Sequence, residues 1–101
     1  MSSGYEDTNA ASTSMQSKNK KSMTAAERKH VNRLSDMPCS VCGSGPVEVH
    51  EIKQGQWFTA IPLCYSCHRS QSGWHGNKTA WKVRKMDELD ALAVTIEGLM
   101  S

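Results

Sequence analysis

The chain lacks the features that mark exported and membrane-embedded proteins. None of its apolar runs is long enough to cross a bilayer. Residues 1–19 are rich in Ser, Asn and Thr, and they lack the basic start, apolar stretch and small-residue cleavage site of a secretory signal. We therefore expect a cytoplasmic protein with no membrane association. In that compartment, paired cysteines are more often metal ligands or redox groups than disulfides.

Large apolar side chains are scarce, and no internal repeat is present. Aromatic residues make up 6% of the 101 residues, and only one of them is Phe. A core built from so little is marginal alone, and chains of this size usually add a disulfide, a metal or a partner. Residues 1–22 are too polar to recover by burial the entropy that ordering them would cost. We expect a disordered polar and basic arm over 1–22 and one folded domain over 23–101.

Acidic residues are scarce in the body of the chain. All twelve Lys and Arg residues lie between Lys18 and Lys85, and only four acids accompany them, so this stretch has a local charge of +8. The other six acids lie outside it, mainly in the last segment of the chain. A basic body with acidic ends is typical of a protein that binds a polyanion. The alternative is that these are ordinary solvated lysines.

The pattern of apolar residues and breakers predicts a mixed α+β domain. Thr24 and Glu27 form a capping-box pattern ahead of helically spaced apolar residues, which predicts a helix over 25–34. Alternation and β-propensity then predict a hairpin. The predicted elements after the first helix are strands over 47–52 and 57–63 around a turn at 53–56, a helix start over 65–71, a helical turn over 79–84, and a last helix from Asp87 onward.

Four cysteines form two CxxC pairs, Cys39 with Cys42 and Cys64 with Cys67. A knuckle turn lets two thiolates three residues apart face one metal ion, and two such knuckles complete a tetrahedron. The redox interpretation of CxxC needs one pair beside a βαβ unit, and the sequence shows no such unit. The pattern predicts a structural Zn²⁺ on all four thiolates, without which the domain does not fold.

Three of the four histidines fall where a strand, a helix start and a loop could converge. His50 lies within the first predicted strand, His68 follows the fourth cysteine, and His75 lies in the Gly-Trp-His-Gly loop at 73–76. Taken singly, each is more often structural than a metal ligand. His30 lies on the predicted first helix, where the simplest interpretation is a solvated side chain.

The order of knuckle, hairpin with a central histidine, and second knuckle followed by His resembles the HNH, or ββα-metal, endonucleases. The matching residues are Val49-His50-Glu51-Ile52 on the hairpin and the run from Ile61 to His68. More narrowly, residues 39–76 look like the phage recombination-enhancement (Ref) nucleases, which act with the RecA filament. The resemblance implies a small zinc-stapled HNH or treble-clef-like domain with flanking helices, encoded by a phage or its bacterial host.

The resemblance also implies a catalytic divalent cation, Mg²⁺, Mn²⁺ or Zn²⁺, held by His50, His68 and His75. The family usually carries a pair such as His-His or Asp-His on the hairpin, whereas this chain has His50-Glu51. Either His50 binds the cation and Glu51 is the general base, or His50 is the base and Glu48 helps to hold the cation. The pattern leaves both open, with His50, Glu51 and His68 as the catalytic candidates.

The expected function is metal-dependent cleavage of DNA by a recombination-associated nuclease, with a RecA-type filament as a possible partner. The alternative is a non-catalytic zinc module that binds DNA or acts as a recombination accessory, and a third is a protein-interaction adaptor that uses the acidic last helix. For DNA binding we expect salt-dependent phosphate contacts from the arm and the body. The candidate residues are Lys18, Lys20, Lys21, Arg69, Lys78, Lys82, Arg84 and Lys85.

Overall fold

The computed structural model describes residues 22–101, so nearly all of the arm expected over 1–22 lies outside the described residues. Within these residues, the fold consists of four α-helices, one short 3₁₀ helix and one two-stranded sheet, which confirms the α+β class. None of the helices in residues 22–101 is long and apolar enough to span a membrane. In chain order, the elements are α1 (Ala25–Ser35), β1 (Val47–His50), a 3₁₀ helix (Trp57–Thr59), β2 (Ile61–Cys64), α2 (Tyr65–His68), α3 (Thr79–Lys82) and α4 (Glu88–Met100).

Helix α1 begins where its capping box predicts. The Thr24 hydroxyl accepts from the backbone N–H of Glu27 at 3.1 Å, and the Glu27 carboxylate accepts from the backbone N–H of Thr24 at 2.8 Å. Two N–H groups that the helix itself cannot satisfy are thereby paired. The buried Leu34 anchors the last turn of the helix in the interior.

Strands β1 and β2 form an antiparallel hairpin in which Val47 pairs with Cys64 and His50 pairs with Ile61. The strands are shorter than predicted. The prediction of one strand over 57–63 is wrong in its first half, because residues 57–59 form the 3₁₀ helix. This helix packs against α1, where the rings of His30 and Phe58 lie 5.3 Å apart.

Strand β2 is the centre of the core, since all four of its residues are buried. Ile61 and Leu63 share the main cluster of buried residues with three of the cysteines and with Trp81 of α3. The Trp81 indole N–H donates to the carbonyl of Cys67 at 2.7 Å. The apolar core and the second CxxC pair are therefore one packing unit.

Helix α4 is fixed to the first CxxC pair. Asp87 and Asp90 form a second capping box at its start. About two turns from that start, the hydroxyls of Thr95 and Ser40 lie 2.6 Å apart, and both residues are buried. Ser40 lies between Cys39 and Cys42, so the last helix and the first knuckle are joined by a buried hydrogen bond.

Candidate metal centres

The two CxxC pairs reach one point because the chain changes direction sharply at each of them. After the first pair, Gly43 adopts φ +79°, and its N–H donates to the carbonyl of Cys39 at 2.9 Å. This left-handed conformation is one that glycine adopts at little cost. In the second pair, Cys64 ends β2 and Cys67 lies in the first turn of α2. A hydrogen bond of 3.0 Å from Ser40 N–H to the Pro62 carbonyl joins the first pair to β2.

The four thiol groups fit a zinc ion. All four sulfur atoms lie within 4.8 Å of one another, and Cys42 Sγ is 3.5 Å from Cys64 Sγ. Zn–S bonds of about 2.3 Å in a tetrahedron place sulfur atoms about 3.8 Å apart. Three of the four cysteines are buried, and none forms a disulfide. The sequence prediction that these four residues come together as a possible structural metal site is confirmed.

The surroundings of the thiols differ, and their pKa values differ with them. Burial and the neighbouring cysteines raise the pKa of the Cys67 thiol, and burial raises that of Cys64. Burial on its own would also raise the pKa of Cys42. Hydrogen bonds from Ser44 and from the neighbouring thiols outweigh burial and lower the pKa of Cys42 to about 6. In the metal-free protein near neutral pH, Cys42 is therefore a thiolate while Cys64 and Cys67 keep their protons.

Zinc binding should therefore release protons, and zinc affinity should rise with pH. The ligands must be thiolates, so an ion that binds near neutral pH displaces at least the protons of Cys64 and Cys67. Competition with a chromophoric chelator at several pH values, and calorimetry in buffers of different ionisation enthalpy, would measure the effect. Zinc affinity that stays constant between pH 6 and pH 8 would contradict this prediction.

A second cluster of potential ligands lies beside the first and consists of His50, His68 and His75. One ring nitrogen from each of these histidines lies within 4.8 Å of those from the other two. The Nε2 atoms of His68 and His75 are 3.1 Å apart, and the ring centroid of His50 is 5.0 Å from that of His68. Two imidazoles bound to one zinc ion at about 2.0–2.1 Å would have nitrogens at a similar separation. We call this group the histidine cluster.

Two glycines bring His75 to this cluster. A Cβ on Gly73 would lie 2.8 Å from the backbone carbon of His68, and a Cβ on Gly76 would overlap the carbonyl of Gln71. The close approach lets the backbone N–H of His75 donate to the carbonyl of His68 at 3.0 Å. The Gly-Trp-His-Gly sequence thus folds the loop back onto α2, so that the imidazole of His75 faces that of His68.

Gly76→Ala should displace His75 while leaving the zinc site intact. The added methyl group meets backbone rather than a flexible side chain, so the loop must move, at a cost of about 1–3 kcal/mol. We expect weaker binding of a second metal ion and unchanged zinc content, measured by titration and elemental analysis. Gly45→Ala is the matched control, because a Cβ there meets no atom within 4 Å. Equal metal binding by both variants would show that the loop geometry is unimportant.

Glu48 on β1 holds His68 in one orientation. One oxygen of Glu48 is 2.7 Å from His68 Nδ1 and also accepts from Arg69 Nε at 2.8 Å. These two hydrogen bonds lower the pKa of Glu48, His68 contributing most, so its carboxylate remains ionised. Burial lowers the pKa of His68 despite the opposing effect of Glu48. A neutral His68 that donates from Nδ1 presents the lone pair of Nε2 to the cluster.

His50 has a carboxylate partner of its own, Glu88 in the first turn of α4, at 2.6 Å from Nε2. Glu88 was not predicted from the sequence to belong to any site. Glu88 and His50 are separated by 38 residues, and the acidic start of α4 is explained by the helix dipole alone. For Glu48 the sequence did contain a signal, because the alternation of side chains along β1 places Glu48 and His50 on the same face of the strand.

No family model matches the chain, and no curated protein or solved structure matches it.

The remaining candidate residues lie at varying distance from the clusters. Glu51 is in neither cluster of potential ligands among residues 22–101, and its carboxylate accepts from the backbone N–H of Gly55 at 3.3 Å. Arg69 reaches Glu48 but keeps 61% of its side chain exposed. Lys78 lies over the Trp74 ring, 4.8 Å from its centroid. Three further candidates on or just after α3 have exposed side chains: Lys82, Arg84 and Lys85. The three candidates of the arm lie outside the described residues: Lys18, Lys20 and Lys21.

Proposed function

We propose that the protein is a metal-dependent DNA endonuclease of the HNH type, with a structural zinc on Cys39, Cys42, Cys64 and Cys67. The histidine cluster beside that zinc site is the observation that carries the proposal. Four thiolates complete a tetrahedron and leave no position for a substrate. Three imidazoles leave a coordination position open, and this is the usual difference between structural and catalytic metal sites.

The ligand atoms follow from the hydrogen bonds of the rings. His68 gives Nδ1 to Glu48 and would bind a cation through Nε2, next to Nε2 of His75. When bound, a divalent cation supplies a Lewis acid that stabilises negative charge on a phosphoryl oxygen and makes water more acidic. Glu48 fixes the orientation of the His68 imidazole and holds its proton on Nδ1, which is the role of carboxylates around metal-bound histidines. Arg69, the residue after His68, has an exposed guanidinium that suits a contact with a phosphate.

The position of Glu51 bears on the choice of general base. Its carboxylate accepts from Gly55 in the turn of the hairpin, while Glu48 and His50 share the face of β1 that contains the histidine cluster. This disfavours Glu51 as the base and favours a water whose acidity a cation on the histidine cluster would raise. Glu51→Gln should therefore nick DNA at a rate within a few-fold of the wild type. A fall on the order of 10²-fold, the typical contribution of a general base, would assign the role to Glu51.

A nicking assay on supercoiled plasmid tests the function directly. Zinc-loaded protein would be incubated with Mg²⁺, Mn²⁺ or Co²⁺, with and without a RecA filament, and with a chelator as control. We expect nicked circles, and more with Mn²⁺ or Co²⁺ than with Mg²⁺, because imidazole ligands suit transition metals and Mg²⁺ prefers oxygen ligands. If folded, zinc-loaded protein nicks no DNA under any of these conditions, the proposal is wrong.

A non-catalytic DNA-binding module is the second candidate, favoured by the exposed cations on and after α3. Lys82, Arg84 and Lys85 are all exposed, and phosphate contacts through them would not require the histidine cluster. DNA affinity should then fall steeply with salt, and charge reversal at these positions should weaken binding to every sequence alike. Salt-dependent binding without nicking would support this candidate, and binding insensitive to salt would favour a protein-interaction adaptor.

A further inference from the structure

We infer that Glu88 is the positioning carboxylate of His50, so that the C-terminal helix α4 is part of the histidine cluster's metal centre. The inference rests on the proposed function, because it assigns a role toward the cation that the cluster would hold. It adds a residue from a part of the chain that follows both knuckles, the hairpin and the Gly-Trp-His-Gly loop.

The geometry identifies which nitrogen of His50 is available to a metal. Glu88 Oε2 lies 2.6 Å from His50 Nε2, and only 8% of the His50 side chain and 20% of the Glu88 side chain are exposed. An ionised carboxylate accepts hydrogen bonds and donates none, so the proton between the two groups belongs to Nε2 of His50. With that proton on Nε2, the nitrogen left for a cation is Nδ1. His50 is therefore assigned to bind a cation through Nδ1.

His50 and His68 each have a carboxylate at one ring nitrogen, but the nitrogen is a different one in each ring. Glu48 takes Nδ1 of His68 and leaves Nε2, whereas Glu88 takes Nε2 of His50 and leaves Nδ1. Carboxylates at the outer nitrogen of a metal-bound histidine fix its tautomer and raise its basicity as a ligand. A hairpin and a helix distant in sequence each supply one such carboxylate. Convergence on the same type of partner favours a role toward a metal over a chance surface ion pair.

The way α4 is held makes Glu88 suitable for this role. The helix is started by the capping box of Asp87 and Asp90, which flank Glu88. Its inner face contains Ala91 and Thr95, which are 0% and 1% exposed, and Thr95 bonds to Ser40 in the first knuckle. Glu88 is therefore presented from a helix that is anchored on both sides of the carboxylate, and its distance from His50 is fixed by packing.

Metal titration of the full chain tests the inference. Co²⁺ would be added to zinc-loaded wild type, Glu88→Gln and Glu97→Gln, and its visible absorption followed. The absence of a thiolate-to-cobalt band would show that zinc remains on the cysteines. We expect Glu88→Gln to bind Co²⁺ about 10- to 100-fold more weakly, the usual effect of losing an outer partner of a ligand. Glu97→Gln makes the same chemical change on the exposed side of the same helix, and it should match the wild type.

The tautomer of His50 is a second measurement, and it would not change in Glu88→Gln if Glu88 had only a structural role. In zinc-loaded protein without Co²⁺, long-range ¹H–¹⁵N NMR should find the His50 proton on Nε2 in the wild type and in Glu97→Gln, and a mixture of tautomers in Glu88→Gln. If Glu88 only stabilises the start of α4, the tautomer and the Co²⁺ affinity will be unchanged in Glu88→Gln, and the inference is overturned.

The outcomes also separate this inference from the proposed function. Wild-type protein that takes up no Co²⁺ beyond its zinc would overturn the metal centre itself. Wild-type protein that binds Co²⁺ no better than Glu88→Gln would overturn only the role of Glu88. A loss beyond about 1000-fold, with a changed cobalt spectrum, would overturn the positioning role in favour of direct ligation, since outer partners contribute about 10- to 100-fold.

Discussion

Cys67→Ser, or removal of zinc by a chelator, is expected to unfold the domain over residues 23–101 cooperatively. Cys67 is 2% exposed and belongs to the same buried cluster as Ile61, Leu63 and Trp81. Structural zinc contributes roughly 10 kcal/mol or more in small zinc domains, whereas a whole domain is stable by only about 5–15 kcal/mol. Loss of the ion therefore removes most or all of the net stability. Far-UV circular dichroism and Trp fluorescence, with and without zinc, would measure the loss.

Ser66→Ala is the matched control for this experiment, because Ser66 lies in the same CxxC pair, is exposed and offers no thiolate. Ser66→Ala should unfold at the same temperature as the wild type, and it should contain one more equivalent of zinc than Cys67→Ser. A metal-free protein that keeps a cooperative transition at the same temperature would show that the apolar core suffices without zinc.

His68→Ala is expected to abolish binding of the second metal ion and DNA nicking, while the four-cysteine zinc site persists. The imidazole of His68 lies between Glu48 and His75, so its removal takes away one of three ligands and the side-chain hydrogen bond that aligns another. Outer partners alone contribute about 10- to 100-fold to metal affinity, so loss of a ligand should exceed 100-fold. Loss of a buried, hydrogen-bonded side chain should lower the free energy of unfolding by about 1–3 kcal/mol.

His30→Ala is the control for His68→Ala. His30 packs against Phe58 at a ring distance of 5.3 Å and belongs to neither cluster of potential ligands in residues 22–101. It should bind zinc and the second ion as the wild type does. Metal titration and plasmid nicking on both variants would decide the matter. Nicking by His68→Ala at the wild-type rate would remove the histidine cluster from the mechanism.

Local chemistry was the part of the fold that the sequence predicted well. The capping box of Thr24 and Glu27 fixes the start of α1, and both of its hydrogen bonds form. The spacing of the two CxxC pairs likewise anticipates the cluster of four thiols. These patterns are readable because every interacting group lies within a few residues of its partner, or because metal binding imposes a fixed spacing.

Tertiary packing overrode propensity at residues 57–59. Trp57, Phe58 and Thr59 all favour strands, yet they form a 3₁₀ helix whose Phe58 side chain meets His30 of α1. Strand propensity mostly measures how well a side chain packs against its neighbours in a sheet. It therefore predicts the local structure poorly where the segment packs against a helix. Glu88 was missed for a related reason. Nothing local to the start of α4 indicates that its carboxylate meets a histidine of the hairpin.

The peptide bond between Cys67 and His68 has a consequence for how the proposed second metal centre would be filled. These consecutive residues face different clusters, and α2, which contains both, has only four residues. With its knuckle unformed, α2 cannot hold His68 against His75, however abundant the second cation is. Loading should therefore be ordered, with zinc first and the other ion afterwards. Zinc supply would then limit the occupancy of the proposed second centre, and a chelator selective for zinc would empty both sites.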